Sequence, residues 1–190
     1  MRWLSHRFFT LLGWRVEGEL PEIPKMVIIG APHTSNWDFF LFLAVIHHFG
    51  IKVRFLGKAS LFRWPFGFMF RKVGGIPVER GRAGGLVRQV KAAFDGEERM
   101  ILVIAPEGTR SAAPAWKSGF VEIAEGAEVP VVLAGVDGPD KVISISAPQW
   151  VGPDRTEFMD RLRKFYADKP GIKAAGKGPV KLGNEETAVS

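Results

Sequence analysis

The stretch that decides the fold runs from Lys25 to Leu56: KMVIIG (25–30), APHTSNW (31–37), DFFLFLAVIHHFG (38–50) and IKVRFL (51–56). KMVIIG is a short apolar run after two prolines and has the length of a buried strand. The polar loop that follows gives way to an apolar helix, Asp38–Phe49, ending at Gly50. Lys52–Leu56 alternates in character and reads as a second strand. The same alternation continues outward. Gly75–Glu79 reads as a brief strand. Gly84–Asp95 reads as an amphipathic helix with Leu86, Val87, Val90 and Phe94 on one side. Met100–Ala105 and Val129–Ala134 read as buried strands, Val142–Ser146 as an edge strand, and Ser118–Glu125 and Asp154–Tyr166 as helices. Ser60–Val73 is aromatic and basic and broken by Pro65, with no regular element assigned. Strands alternating with helices predict one α/β domain over residues 25–168, a central, mostly parallel or mixed sheet flanked by helices. Residues 1–24 read as an N-terminal amphipathic helix and linker. The Gly-, Lys- and Pro-rich residues 169–190 read as a disordered tail. In such sheets sites gather in loops leaving strand ends. Two loops here do so and carry polar residues, 31–38 and 106–111.

The net charge of +6 is uneven. Residues 1–82 hold 12 Lys/Arg against 5 Asp/Glu, while residues 83–190 hold 14 against 15. A basic first half points to an anionic partner: nucleic acid, a phospholipid surface or a phosphorylated substrate. The chain has no cysteine, which excludes disulfides, a Cys nucleophile and thiolate metal sites. No run is long enough to span a bilayer; the longest charge-free apolar one is Phe39–Ile51. Residues 2–15 carry Arg2 and Arg7 around Trp3, Phe8 and Phe9, and read either as a short helix in a membrane interface or as a terminal helix packed on the domain. In the segment 61–72, aromatics including Trp64, Phe66 and Phe68 are interleaved with Arg63, Arg71 and Lys72, a pattern in which rings bury and cations meet phosphates. Part of this segment is expected in the core and part at a lipid surface or along an acyl chain.

Two loops carry the chemistry. In His33-Thr34-Ser35-Asn36-Trp37-Asp38, a histidine and a carboxylate five positions on form a dyad if the turn brings them together. The carboxylate then fixes the tautomer and stabilises the imidazolium. The plainer alternative has Asp38 as a helix N-cap and His33 as a satisfied loop residue. Glu107-Gly108-Thr109-Arg110-Ser111 offers close backbone approach, hydroxyls and a guanidinium fork suited to phosphate; its alternative is a surface turn with an Arg–Glu pair. GIPVER (75–80) places Arg80 at another strand end, and its alternative is a solvated turn.

HTSNWD, GIPVER, EGTRS and VPVV, in this order and spacing, resemble the four blocks of the glycerolipid acyltransferase superfamily, whose members include the 1-acylglycerol-3-phosphate acyltransferases. The resemblance covers roughly residues 25–135 and includes Trp116–Phe120. It implies that His33 is the general base on an acceptor hydroxyl, oriented by Asp38. It implies that Arg80, Glu107, Gly108, Thr109 and Arg110 hold the acceptor's phosphate and glycerol. The donor would be an acyl-CoA or acyl carrier protein thioester, the acceptor a lysophospholipid such as lysophosphatidate, and no cofactor or metal would be needed. Pro32 stands where many members have Asn, and VPVVLAG lacks the second Pro of phosphatidate-forming members, so a hydroxylated non-glycerol lipid stays open as acceptor. The implied location is peripheral, on the cytoplasmic face of a membrane.

Other readings fit less well. Gly57-Lys58 lacks the rest of a P-loop, and His33, His47 and His48 lack a zinc ligand set. A pI near 9.8 admits nucleic acid, but no binding signature accompanies it. The rival from another class is a non-catalytic lipid-binding protein on the same fold.

Overall fold

The computed structural model describes residues 12–65, 67–78 and 83–183. These hold seven strands: β1 (Arg15–Glu17), β2 (Lys25–Ala31), β3 (Arg54–Lys58), β4 (Gly75–Val78), β5 (Met100–Ile104), β6 (Val131–Asp137) and β7 (Val142–Ile145). The described helices are α1 (Trp37–Phe49), α2 (Gly67–Lys72), α3 (Ala83–Gly96), α4 (Gly119–Gly126) and α5 (Arg155–Tyr166). The strands form one sheet in the order β1-β7-β6-β2-β5-β3-β4. Every pairing is parallel except β6 with β7.

Side chains alternate across a strand, so β2 feeds two cores. Val27 and Ile29 face α3, α4 and α5, meeting a cluster with Phe94, Phe120, Phe158 and Tyr166. Met26 and Ile28 face the opposite side with Leu41 of α1, Val132 and Ile143. A strand buried on both faces has no polar alternation, which is why KMVIIG reads as a continuous apolar run. The rings on the helix-rich side stack edge to face, Trp116 on Tyr166 with centroids 5.4 Å apart. Asp154 caps α5, its carboxylate accepting from Thr156 N and Glu157 N.

Four expectations change. Β7 is not an edge: β1 lies outside it, three residues held by backbone pairing. The aromatic–basic segment contains helix α2. Helix does not extend to residue 15, because Gly13 has φ +72° and Arg15 opens β1; residues 1–11, with Trp3, Phe8 and Phe9, lie outside the described residues. The tail beyond 168 is not disordered through residue 183. Gly171 N donates to Val136 O at 2.9 Å, Trp116 N donates to Lys181 O at 2.7 Å, and Leu182 is buried. Backbone hydrogen bonds and one anchoring leucine hold this stretch despite its composition.

Candidate active site

Strands β2 and β5 are parallel neighbours, so the loops leaving their carboxyl ends start side by side. The first turn of α1 follows the β2 loop and brings Asp38 back over it. His33 Nδ1–H donates to Asp38 Oδ2 at 2.9 Å. Thr34 N and Ser35 N donate to the same oxygen at 2.7 and 2.8 Å. Asn36, not Asp38, stands at the helix N-cap, so the plainer role for Asp38 is not the one adopted. With Nδ1 engaged, the imidazole presents Nε2 as its lone-pair nitrogen. Asp38 Oδ1 is buried with no hydrogen-bond partner among the described residues.

Glu107 joins the two loops. It is 4% exposed, and its Oε2 accepts from His33 N at 2.6 Å. Burial raises its carboxyl above the ordinary value of 4.5, while the His33 amide pulls the other way. Tyr166, in the helix-rich core, donates its hydroxyl to Ile29 O at 2.9 Å and so ties α5 to β2 just before the loop. Burial, and then the nearby charge of Glu107, push this phenol well above its ordinary range.

Arg110 is exposed and lines the same cavity as His33 and Asp38. Thr109 is also exposed, its Oγ1 accepting from Ser111 N at 3.4 Å. Gly108 has φ +65°, and a Cβ there would meet Lys117 Nζ at 2.9 Å. Arg80 and Phe66 lie outside the described residues. The structure therefore brings His33, Asp38, Glu107 and Arg110 to one strand-end edge. The Arg–Glu surface pair that was the plainer alternative for the β5 loop is not formed, since Glu107 turns inward to His33.

The cavity holds about 410 Å³ and runs from His33 inward between α1 and the sheet. Its depth is apolar, with Leu41, Phe42, Val45, Phe49, Val136 and Ile143 among its walls. Of the aromatic–basic segment, Leu61 and Phe70 line the cavity. Phe62 is core and Phe70 half-buried, whereas Trp64 is 93% and Phe68 72% exposed. Trp37 and Phe40 of α1 are also exposed, at 67% and 56%. Phe39 and Phe70 touch with ring centroids 5.7 Å apart, so the two exposed aromatic groups belong to adjoining elements. The sequence reading missed Trp37 and Phe40, although a helix apolar all round signals either full burial or a lipid face. It also missed Tyr166, whose contact spans 137 residues and leaves no local signal.

A model of the acyltransferase family matches residues 14–136. The crystal structure of the 1-acyl-sn-glycerophosphate (LPA) acyltransferase PlsC from Thermotoga maritima is similar in fold, with a TM-score of 0.55. It is 21% identical in sequence, and the match covers 86% of this chain and 72% of that one. No curated protein matches significantly. The family match takes in more than half of the chain, including the His33–Asp38 loop and the Glu107–Arg110 loop. The chain belongs to the acyltransferase family.

Proposed function

We propose that the protein moves a fatty acyl group from an acyl-CoA or acyl carrier protein thioester to the hydroxyl of a lysophospholipid, with lysophosphatidate the acceptor that best suits its charge. The observation that carries this reading is the His33–Asp38 pair at the head of an apolar cavity that Arg110 also lines. In this reading the acceptor hydroxyl gives its proton to His33 Nε2 as its oxygen attacks the thioester carbonyl carbon. Asp38 stabilises the imidazolium that forms. The tetrahedral intermediate collapses by breaking the carbon–sulfur bond, and the imidazolium returns its proton to the departing thiolate. No acyl-enzyme is required, in keeping with a chain that has no cysteine. The cavity's apolar depth suits an acyl chain, and the Arg110 fork suits a phosphate at the mouth.

Arg110→Ala tests the acceptor assignment. Loss of a charge-assisted hydrogen bond is expected to raise KM for lysophosphatidate about tenfold to a hundredfold. An acceptor without a phosphate should change less than about twofold, since it makes no such bond. Equal effects on both acceptors would remove Arg110 from the phosphate site.

The acceptor and product sit in a bilayer, and we place the enzyme peripherally on its cytoplasmic face. No described helix is long and apolar enough to cross a membrane. The exposed rings of Trp37, Phe40, Trp64 and Phe68, with the exposed Arg63, Arg71 and Lys72 nearby in sequence, suit an anionic lipid surface. Replacing Trp64 and Phe68 together by Ser is expected to weaken sedimentation with anionic vesicles about tenfold or more, because each ring contributes buried apolar area. Unchanged vesicle binding would rule this face out as the membrane contact.

A further inference from the structure

The segment after α5 lies outside the four sequence blocks and beyond the family match, which ends at residue 136. It nevertheless touches both loops of the site. Its ends are fixed: Gly171 exchanges backbone hydrogen bonds with Val136 and Gly138 at 2.9 and 3.1 Å, and Trp116 exchanges them with Lys181 and Gly183 at 2.7 and 3.2 Å. Lys177 Nζ donates to Tyr166 O and Ala167 O, closing the segment against α5. Between these anchors Lys173 N donates to Thr34 Oγ1 at 3.0 Å.

Two glycines make this approach sterically feasible. A Cβ on Gly171, where φ is +77°, would come within 2.8 Å of Thr34 Oγ1. A Cβ on Gly176 would come within 2.9 Å of Arg110 O and 3.0 Å of Thr34 Cβ. Such contacts are closer than side chains tolerate, so the strap lies against the loops through bare backbone. Thr34 is consequently held from two sides. Its N–H is bound to Asp38 Oδ2, and its hydroxyl oxygen takes the strap's amide. Thr34 is buried and stands next to His33 in the chain, so any shift of its backbone moves both the imidazole and a donor to Asp38.

We propose that residues 171–176 are a positioning strap, acting through Thr34 to fix His33 against Asp38 and through Gly176 to set the backbone of Arg110 beside them. The kinetic part of this proposal rests on the acyl-transfer reading; the structural part does not. Thr34→Val keeps shape and volume but removes the acceptor for Lys173 N. Losing one hydrogen bond is expected to speed hydrogen–deuterium exchange of the Thr34-position and Ser35 amides about tenfold, with the β2 amides unchanged and Tm lowered by no more than about 2–4 °C. In the transfer assay kcat should fall about tenfold, with KM for the thioester donor unchanged. Thr34→Ser should restore both, and Gly176→Ala should move both in the same direction as Thr34→Val. Loop amides that exchange as in the wild type would overturn the strap. So would an acceleration shared by the β2 amides, a loosened loop with kcat unchanged, or a loss that Thr34→Ser does not restore. A wild-type protein that transfers no acyl group would defeat the proposed reaction, while the exchange measurement would still decide whether the strap orders the loop.

Discussion

His33→Ala is expected to lower kcat about 10³-fold, the range that general-base catalysis supplies, while leaving the fold intact. The structure explains why these two effects separate. Alanine keeps the backbone N–H that Glu107 accepts, so the link between the two loops survives. Asp38 Oδ2 keeps two of its three donors, Thr34 N and Ser35 N, so the carboxylate is not stranded. The imidazole itself is partly exposed, at 27% of the side chain, and its removal opens no closed cavity. Circular dichroism and Tm close to wild type should therefore accompany the loss. A variant that retains most of its turnover would take the proton-accepting role away from His33.

The second large effect is expected at Asp38, where two substitutions divide its work. Because a single oxygen takes all three donors, an asparagine can place its amide oxygen there and keep His33 Nδ1–H, Thr34 N and Ser35 N bonded. Asp38→Asn loses the charge, and with it the stabilisation of the imidazolium, and puts its amide NH2 where Oδ1, without a partner among the described residues, stood; a fall in kcat of about 10²-fold is expected, with a modest loss of stability from the buried NH2. Asp38→Ala loses the charge and the acceptor together. Two backbone donors are then left without partners, at about 1–3 kcal/mol each where they stay buried. That variant should fall further in kcat and also melt earlier. Kinetics and thermal melts on both proteins check this. Equal losses of activity and stability in the two variants would mean that Asp38 acts as a loop brace and not through its charge.

The parts of this architecture legible in the sequence are those with a local signature. KMVIIG and MILVI announce buried strands because both of their faces are covered. The His33-x4-Asp38 spacing announces a dyad because one turn of loop and the start of a helix bring its ends together. The third strand illustrates the limit. Alternation suggests Lys52–Leu56, but pairing with β4 and β5 sets it at Arg54–Lys58. Register belongs to the partners, not to the strand alone. Strand β1 has no signature at all, being three residues that pair with β7 while Val16 packs against the core. The roles of Glu107 and residues 169–183 were hidden for the same reason. Glu107 meets His33 across 74 residues, and Lys173 meets Thr34 across 139. A Gly- and Lys-rich segment looks disordered until the loops it lies against are in place.

Exposed Trp37 and Phe40 show how a single helix serves two surfaces. Leu41 of α1 is core, Phe42 and Val45 line the cavity, and the rings of the first turn face outward beside the dyad's own carboxylate. If those rings rest in lipid, the hydroxyl of a bilayer-resident acceptor has a short way to travel to His33.

The central claim is tested most directly by lipid mass spectrometry. Purified protein would be incubated with lysophosphatidate and other lysolipids and with long-chain acyl-CoA or acyl carrier protein, the His33→Ala protein running beside it. The account predicts a new diacyl species heavier by one acyl group, formed from lysophosphatidate by the wild type and absent with His33→Ala. No diacyl product from any lysolipid with either donor, from protein that still binds vesicles, would contradict it and leave a lipid-binding protein on an acyltransferase fold.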